Sequence, residues 1–258
     1  MIRAKPGQHA GLIKTREELE VMRKAGRELA AIRDRIAGMV RPGVTTLELD
    51  TAARRMIQSV GAAPAFLNYR GYPGTICASI NEEVVHGIPS DKRRLNEGDL
   101  ISIDIGLVHH GFYSDTAITV PVGNVRSEIA RLIEVTRECL DRAVQACIAG
   151  NRLGDVSSAV QRLAEAEGYA VVRDYSGHGI GRELHEEPQI RNYGTPGTGM
   201  RLRAGMVFAL EPMLNLGVKE TKVLRDGWTV VTADGQPSAH FEHTIALTPE
   251  GEEILTKA

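Results

Sequence analysis

Apolar residues in the first part of the chain recur at helical spacing in two separate runs. Residues 15–18 (TREE) have the form of a capping box, and apolar residues then return every three or four positions as far as Ile36. Residues 45–48 (TTLE) form a second capping box, and a shorter amphipathic run follows it and ends at Gly61. The pattern predicts helices over about 15–37 and 45–61, and strands from near Thr75.

The second part of the chain repeats this order of elements. Its apolar positions predict a helix over about 127–149 and a shorter one that Asp155 opens and Gly168 closes, and strand patterns then run from Tyr169 to Leu247. At one constant offset, Gly43, Leu49, Ala52, Met56 and Gly61 fall on Gly150, Val156, Ala159, Leu163 and Gly168. This weak repeat predicts an α+β domain of two similar halves, with a site where their sheets meet.

We expect a single domain over residues 1–258, because no linker-like composition separates the halves. The halves span about 15–123 and 126–250, and residues 1–14 form an N-terminal extension.

Between the two helical regions, residues 99–122 form two alternating runs that each carry one aspartate. If His109 and His110 form a two-residue hairpin loop, Asp104 faces Asp115 directly, with Cβ atoms ~4.5–5.5 Å apart. A one-residue bulge in the turn would change that register. Two like charges at this distance are destabilising unless a cation lies between them or one carboxyl is protonated. The alternative is two solvated aspartates on an exposed hairpin face.

Composition excludes several classes of function. With 42% hydrophobic residues, 25% charged residues and a net charge of −2, the chain has no overall electrostatic signal for nucleic acid or an anionic membrane. No apolar run is long enough to span a bilayer, and the first residues lack the apolar core of a signal peptide. Three cysteines without a C-x-x-C pair indicate neither a disulfide framework nor a thiolate zinc site. We therefore expect a cytoplasmic protein with no membrane and no specific nucleic-acid site.

Three further stretches place titratable side chains in apolar or glycine-rich surroundings. His178 lies between glycines, which let the backbone bring its imidazole close to another group. Glu211 ends an apolar strand pattern, and Glu242 occurs in a similar one, where an unpaired charge is unfavourable. The glycines around His178 do not fit a phosphate loop, because no P-loop lysine follows. Each motif alone is also typical of ordinary structure.

Taken together, Asp104, Asp115, His178, Glu211 and Glu242 form a candidate ligand set. Four carboxylates balance the charge of two divalent cations. An oxygen-rich set with a single imidazole suits Mn²⁺, Fe²⁺, Co²⁺ or Zn²⁺. Carboxylates that bridge two ions ~3.5–4 Å apart are typical of two-metal hydrolases.

The combined pattern resembles that of the type I methionine aminopeptidases of peptidase family M24. The segments that carry the resemblance are NEEVVHGIP at 81–89, SID at 102–104, SDT at 114–116, GHGIG at 177–181, LEP at 210–212 and FEHT at 241–244. The resemblance implies the α/β (α+β) pita-bread fold of the creatinase and aminopeptidase proteins. In that fold, two pseudo-symmetric helix-helix-strand halves surround a central antiparallel sheet.

The resemblance also implies a role for each member of the ligand set. Asp104 would bind one metal, and Asp115 and Glu242 would bridge the two. His178 and Glu211 would complete the shell of the other metal. Glu211 would also act as general base, because a carboxylate at the metal can take the proton of the attacking water.

Two histidines outside the ligand set correspond to non-ligand active-site positions of the family. His185 would donate to the scissile carbonyl and stabilise its oxyanion. His86 would hydrogen-bond the backbone of the second substrate residue and pass a proton to the leaving amine. Asn81 and Ser238 match positions near a site for one monovalent cation.

By the same resemblance, an aromatic and thiol cluster would hold an unbranched thioether side chain. From the sequence alone, its aromatic part could equally be a packed loop. The implied pocket residues are Phe66, Tyr69, Tyr72, Cys77 and Trp228. Two departures from the family pattern stand out: Leu184 replaces a frequent phenylalanine in the pocket wall, and Arg191 replaces a common proline.

The implied activity is removal of the initiator methionine from nascent proteins whose second residue is small, through water activated by two metals. A monomer that docks transiently on the ribosome is also implied, although no sequence patch identifies the docking surface. One alternative is an Xaa-Pro aminopeptidase of the same fold, which shares the five ligands but usually has a large extra N-terminal domain. The other is a non-catalytic binding protein on this scaffold, which the complete ligand set disfavours.

Overall fold

The structure is a computed structural model that describes residues 12–258. Residues 1–11 of the predicted N-terminal extension lie outside this range. The described residues contain four α-helices: α1 (Arg16–Ala37), α2 (Thr46–Ser59), α3 (Ser127–Ala146) and α4 (Leu153–Ala166). Both predicted capping boxes form, because the Thr15 and Thr45 side chains accept the backbone N–H groups of Glu18 and Glu48.

The second helix pair differs from the prediction at its ends. Helix α3 ends at Ala146, three residues before the predicted end. Helix α4 begins at Leu153, so the prediction that Asp155 opens it is wrong. The Asp155 carboxylate instead reaches back from the third helical position and accepts the backbone N–H of Arg152, 2.8 Å away.

Fifteen strands within residues 12–258 supply the sheets. They are β1 (Ala63–Pro64), β2 (Ile76–Ile80), β3 (Glu83–Val85), β4 (Leu100–His109), β5 (Phe112–Pro121), β6 (Ala170–Val171), β7 (Gly177–Gly179), β8 (Glu186–Ile190), β9 (Val207–Leu210), β10 (Met213–Asn215), β11 (Thr221–Val223), β12 (Val230–Thr232), β13 (Ser238–His240), β14 (Glu242–Thr248) and β15 (Gly251–Ile254). The main sheet has nine strands in the order β1-β4-β5-β14-β9-β7-β8, with β2 beside β4 and β15 beside β14. All its pairings are antiparallel, as predicted for the central sheet.

The two helix pairs pack on opposite parts of this sheet. Helices α1 and α2 bury their apolar faces against β2 and β4, around Leu29, Leu49 and Ile103. Helices α3 and α4 do the same beside β9 and β14, around Leu140 and Phe208. The pairing of β5 with β14 joins the two parts. The division into halves of one domain stays a prediction, but the element order is the same in both.

The β4–β5 hairpin differs from the prediction in its register. The turn is His110-Gly111, one residue later than predicted, and both residues have positive φ, +50° and +79°. Those angles are the type I′ turn that fits a two-residue hairpin, and glycine adopts them without strain. Asp104 therefore pairs with Ala117, so the prediction that it faces Asp115 directly is wrong. A slip of two positions keeps both aspartates on the same face of the sheet, as diagonal neighbours.

Within residues 12–258, no helix combines the length and the apolar character that crossing a bilayer requires. The three cysteines are buried and form no disulfide.

Candidate metal centre and substrate pocket

Five adjacent strands of the main sheet position the five predicted metal ligands. Asp104 lies in β4, Asp115 in β5 and His178 in β7, while Glu242 begins β14 and Glu211 directly follows β9. These strands are consecutive neighbours in the order β4-β5-β14-β9-β7. Residues far apart in the chain therefore meet in one row across the sheet.

Three of the five side chains form a compact cluster, and the other two adjoin it. Ligand atoms of Asp115, His178 and Glu242 all lie within 4.8 Å of one another. Glu211 places its Oε1 3.6 Å from His178 Nε2. Asp104 is close enough for its charge to raise the pKa values of Asp115 and Glu211, and it lines the same cavity. The structure thus brings all five predicted ligands together.

Burial makes this group of acids unfavourable as free anions. Desolvation raises the pKa of Asp104 to about 7. Desolvation, and after it repulsion from Asp104, raises the pKa values of Asp115 and Glu211 well above their usual range. Glu242 is raised in the same way, by burial and then by the charge of Asp115. Such a set is stable as carboxylates only when cations compensate it.

The residues fit a divalent metal in two further respects. Asp104 Oδ1 and Glu242 Oε1 are buried and have no hydrogen-bond partner among the described residues. His178 uses its Nδ1 to donate to the carbonyl of Gly179 at 2.8 Å, which leaves the Nε2 lone pair facing the carboxylates. Desolvation lowers the pKa of His178 to about 3, so the imidazole is neutral, as a metal ligand must be.

The glycines around His178 have the role that the sequence suggested. An added Cβ at Gly177 would overlap the carbonyl oxygen of Ala209, and one at Gly179 would overlap that of Glu187. Neighbouring strands therefore approach His178 more closely than a side chain at either position would permit.

The metal-ligand cluster opens into a cavity of about 300 Å3. All predicted site residues line this cavity: Phe66, Tyr69, Tyr72, Cys77, His86, Asp104, Asp115, His178, His185, Glu211, Trp228 and Glu242. Their individual roles stay predictions.

The two non-ligand histidines lie at the cavity wall with defined partners. The Tyr69 hydroxyl is 2.8 Å from His185 Nδ1, and the two rings stack. The His185 ring lies 4.3 Å from the His178 ring, so it adjoins the ligand cluster. His86 has φ +61° and contacts the rings of Tyr175 and Trp228 edge-on. Desolvation lowers the pKa of His86 to about 4 and also lowers that of His185, so both are neutral near pH 7.

The remaining sequence expectations fall around the cavity. Leu184 is buried in its wall, whereas Arg191 packs over Tyr193 and does not line it. The Ser238 N–H donates to the Asn81 carbonyl at 2.9 Å, so these two positions are adjacent. The monovalent-cation site there stays a prediction.

Among the residues of this region that sequence reasoning missed are Arg70, Tyr175 and His240. Arg70 and Tyr175 line the cavity, and Arg70 has a positive φ of +50°. His240 Nε2 lies 3.8 Å from Glu211 Oε2. No sequence signal marks His240, because its contact with Glu211 joins segments that are distant in the chain.

Comparisons with known proteins give the family of the chain. The sequence model of metallopeptidase family M24 matches residues 20–249. Methionine aminopeptidase 1 of Bacillus subtilis (strain 168) is 50% identical over 246 residues, which cover 95% of this chain and 99% of that protein. The crystal structure of methionine aminopeptidase from Thermotoga maritima superposes with a TM-score of 0.94 at 46% identity and covers 100% of both chains.

A more distant likeness shows how widely the fold is shared. The prolidase of Pyrococcus horikoshii OT3 is 24% identical, with a TM-score of 0.79, and the match covers 97% of this chain but 65% of the prolidase. The predicted pita-bread fold is confirmed by these neighbours. The chain therefore belongs to metallopeptidase family M24 and, within that family, to the methionine aminopeptidases.

Proposed function

We propose that this protein removes the N-terminal initiator methionine from nascent polypeptides whose second residue is small. Two divalent ions would be held by Asp104, Asp115, His178, Glu211 and Glu242. The observation that carries the proposal is the row of five ligand groups, three buried and two partly buried, that line a cavity with aromatic walls. The four carboxylates match the charge of two divalent ions, and the donor types suit Mn²⁺, Fe²⁺, Co²⁺ or Zn²⁺.

When bound, divalent ions supply Lewis acidity to a water molecule and to the scissile carbonyl. The side chains then control the protons. Glu211 accepts the proton of the attacking water, because its carboxylate lies at the cavity beside His178.

His185 stabilises the negative charge that develops on the scissile oxygen. The Tyr69 hydroxyl lies 2.8 Å from His185 Nδ1, and a hydrogen bond donated by that hydroxyl would place the ring proton on Nε2. A neutral imidazole held in that tautomer is an oriented donor. Tyr69 thus has two roles, as pocket wall and as the group that orients His185.

His86 contacts the part of the substrate that leaves. Its neutral ring binds the backbone of the second residue and passes a proton to the departing amine. Its edge-on contacts with Tyr175 and Trp228 hold the ring in place.

The aromatic wall selects the first residue. Tyr72 is fixed by hydrogen bonds from its hydroxyl to the carbonyls of Ile76 and Gly87, and it meets Trp228 edge-on at 5.2 Å. With Phe66 and Cys77 it forms a rigid slot that suits a thioether, since sulfur packs well against aromatic rings. One methylene changes binding in such a pocket by only ~1–3 kcal/mol, so we expect slow turnover of close analogues.

The remaining parts of the proposal concern the setting of the reaction. We place the protein in the cytoplasm as a monomer that contacts the ribosome transiently while nascent chains emerge. One monovalent cation would be held near Asn81 and Ser238.

A peptide assay tests the proposed function. The chelator-stripped protein is assayed with Met-Gly-type and Xaa-Pro-type peptides, without metal and with added Mn²⁺, Fe²⁺ or Co²⁺. Metal-dependent release of methionine supports the proposal. Cleavage only before proline indicates the Xaa-Pro peptidase instead, and no turnover with any metal indicates a binding protein.

A further inference from the structure

His240 is a buried polar side chain that the proposed mechanism does not use. It is 1% exposed, and neither ring nitrogen has a hydrogen-bond partner among the described residues. Leaving a buried donor without a partner is unfavourable, so a buried imidazole with no hydrogen-bond partner requires an explanation.

Glu211 lies between two imidazoles, with one carboxylate oxygen towards each. Its Oε1 is 3.6 Å from His178 Nε2, and its Oε2 is 3.8 Å from His240 Nε2. The first imidazole lies on the metal-ligand side, and the second lies behind the carboxylate. Both separations exceed a hydrogen bond, which is common in active sites before substrate and cofactor are bound.

The backbone of His240 is fixed from both sides. Its N–H donates to Thr119 Oγ1 at 2.9 Å, and its carbonyl accepts the Thr119 hydroxyl at 2.7 Å. Strand β13 pairs His240 with Met213, two residues after Glu211. The imidazole is therefore held in a set position relative to the segment that carries Glu211.

The Glu211 backbone is fixed as well. Its carbonyl accepts the side-chain amide of Asn192 at 2.9 Å. The orientation of the carboxylate is then set by its own neighbours. His240 Nε2 faces its Oε2 atom.

From this geometry we infer that His240 is a positioning residue that donates from Nε2 to Glu211 Oε2 in the metal-loaded enzyme. The bond turns Oε1 towards the metal centre and holds the carboxylate where it takes the proton of water. This inference rests on the proposed function, because the orientation of Glu211 matters only if that carboxylate binds metal and moves a proton.

Paired substitutions separate this role from simple space filling. His240→Gln keeps an N–H donor, whereas His240→Met fills the space without one. We expect His240→Met to weaken Zn²⁺ or Mn²⁺ binding in calorimetric titrations on the order of 10–100-fold, as loss of a ligand-orienting partner typically does. We also expect it to lower kcat with little change in KM, and His240→Gln to restore most of both losses.

His109→Met is the matched control. His109 is also buried and also ends a strand, but its Nδ1 is bonded to Glu28 and it does not line the cavity. This control should lower thermal stability without changing metal affinity or kcat. Unchanged metal affinity and kcat in a folded His240→Met variant would overturn the inference, and so would an equal loss in His240→Gln.

A measurement on the wild-type chain tests whether His240 donates from Nε2, even if His240→Met does not fold. Long-range proton–nitrogen NMR correlations of ¹⁵N-histidine-labelled, Zn²⁺-loaded protein report the tautomer of each histidine. The His240 signals are assigned by their absence in His240→Gln. We expect the proton on Nε2; a proton on Nδ1 would turn a lone pair towards Glu211 and overturn the inference. Failure of wild-type methionine release would instead refute the proposed function, because the tautomer and metal titrations do not depend on turnover.

Discussion

At the scale of single residues, the site is defined by acids that burial makes unfavourable. Asp115 and Glu242 are almost fully buried, and the pKa of each carboxyl is raised first by desolvation and then by a neighbouring acid. Apolar side chains would be more stable at these positions. The presence of carboxyl groups here is explained if they bind divalent cations, which require oxygen donors.

Asp115→Asn tests the part of this explanation that concerns ligand charge. The amide removes a ligand and one negative charge, so we expect metal binding and methionine release to be lost together. The metal-free variant should unfold at the same or a higher temperature than the metal-free wild type, because repulsion with Asp104 is removed. Calorimetric titration and thermal unfolding measure the two effects.

Asp141 is an exposed residue of helix α3, so Asp141→Asn is the matched control. It should change neither metal binding nor the unfolding temperature. Metal-dependent activity retained in Asp115→Asn would refute the role of Asp115.

His185→Ala separates metal binding from stabilisation of the transition state. His185 contacts the cavity and Tyr69 but is not among the ligand groups. We expect metal affinity to remain, and kcat to fall by ~10²–10³, the usual effect of removing one oxyanion donor. Tyr69→Phe should lower kcat less, since the ring stays and only its orienting bond is lost. Loss of metal in His185→Ala would contradict the assigned role.

Much of the residue-scale picture could be predicted from the sequence, because chemistry and local pattern coincide there. Asp104, Asp115 and Glu242 stand out as charges within apolar strand patterns, and His178 stands out between glycines. His240 did not stand out, because its significance depends on the packing of β13 beside the segment that follows β9. No local pattern contains that contact.

At the scale of elements, the capping boxes were predictable and the hairpin register was not. Thr15 and Thr45 cap their helices through interactions within four residues, which the sequence shows directly. The β4–β5 register depends on which pair of residues takes positive φ, and either of two adjacent pairs was compatible with the sequence. The type I′ turn at His110-Gly111 decides it, with glycine at one of the two left-handed positions.

Gly179→Ala tests the close strand packing around His178. An added methyl group would overlap the Glu187 carbonyl oxygen across β7 and β8. We expect the free energy of unfolding to fall by about 2–4 kcal/mol, as steric overlap in a core does, and metal affinity to fall because His178 moves. Chemical denaturation and metal titration check the two results.

Gly38→Ala is the matched control, since Gly38 has an ordinary helical φ of −66° and its nearest new contacts would be at 3.5 Å. It should leave metal affinity unchanged and should not lower the free energy of unfolding, because alanine fits this backbone conformation. Wild-type stability and metal affinity in Gly179→Ala would show that the close approach of β8 is not required.

At the scale of the whole molecule, two helix-backed parts of one sheet meet at the β5–β14 pairing, and the ligands come from both. The weak internal repeat predicted this order of elements. It did not predict the strand order, because sequence-distant pairings such as β14 with β9 depend on the packing of the complete chain. The alternation of apolar residues indicates only that each strand has a buried face.

The whole site also predicts how metal binding depends on pH. The raised pKa values mean that the metal-free carboxyls keep their protons to higher pH than exposed acids do, Asp104 up to about pH 7. Metal must displace these protons, so metal affinity falls as pH falls below those pKa values and levels off above them. His178 does not oppose this trend, because its pKa of about 3 keeps it neutral throughout.

Calorimetry in buffers of different ionisation enthalpy measures the protons released on metal binding. We expect affinity to increase by up to about tenfold per pH unit for each proton displaced as pH rises towards the Asp104 pKa of about 7. An affinity independent of pH over this range would show that the carboxyls are already ionised without metal.

The most direct test of the account is to count metal ions and released methionine in the same titration. Chelator-stripped wild-type protein is titrated with Co²⁺ or Mn²⁺ and observed by native mass spectrometry, while methionine release from a Met-Gly-type peptide is assayed at each step. We expect methionine release to be absent without metal, to appear as ions bind, and to reach its maximum at no more than two ions per chain. Full release of methionine by the metal-free protein would contradict it.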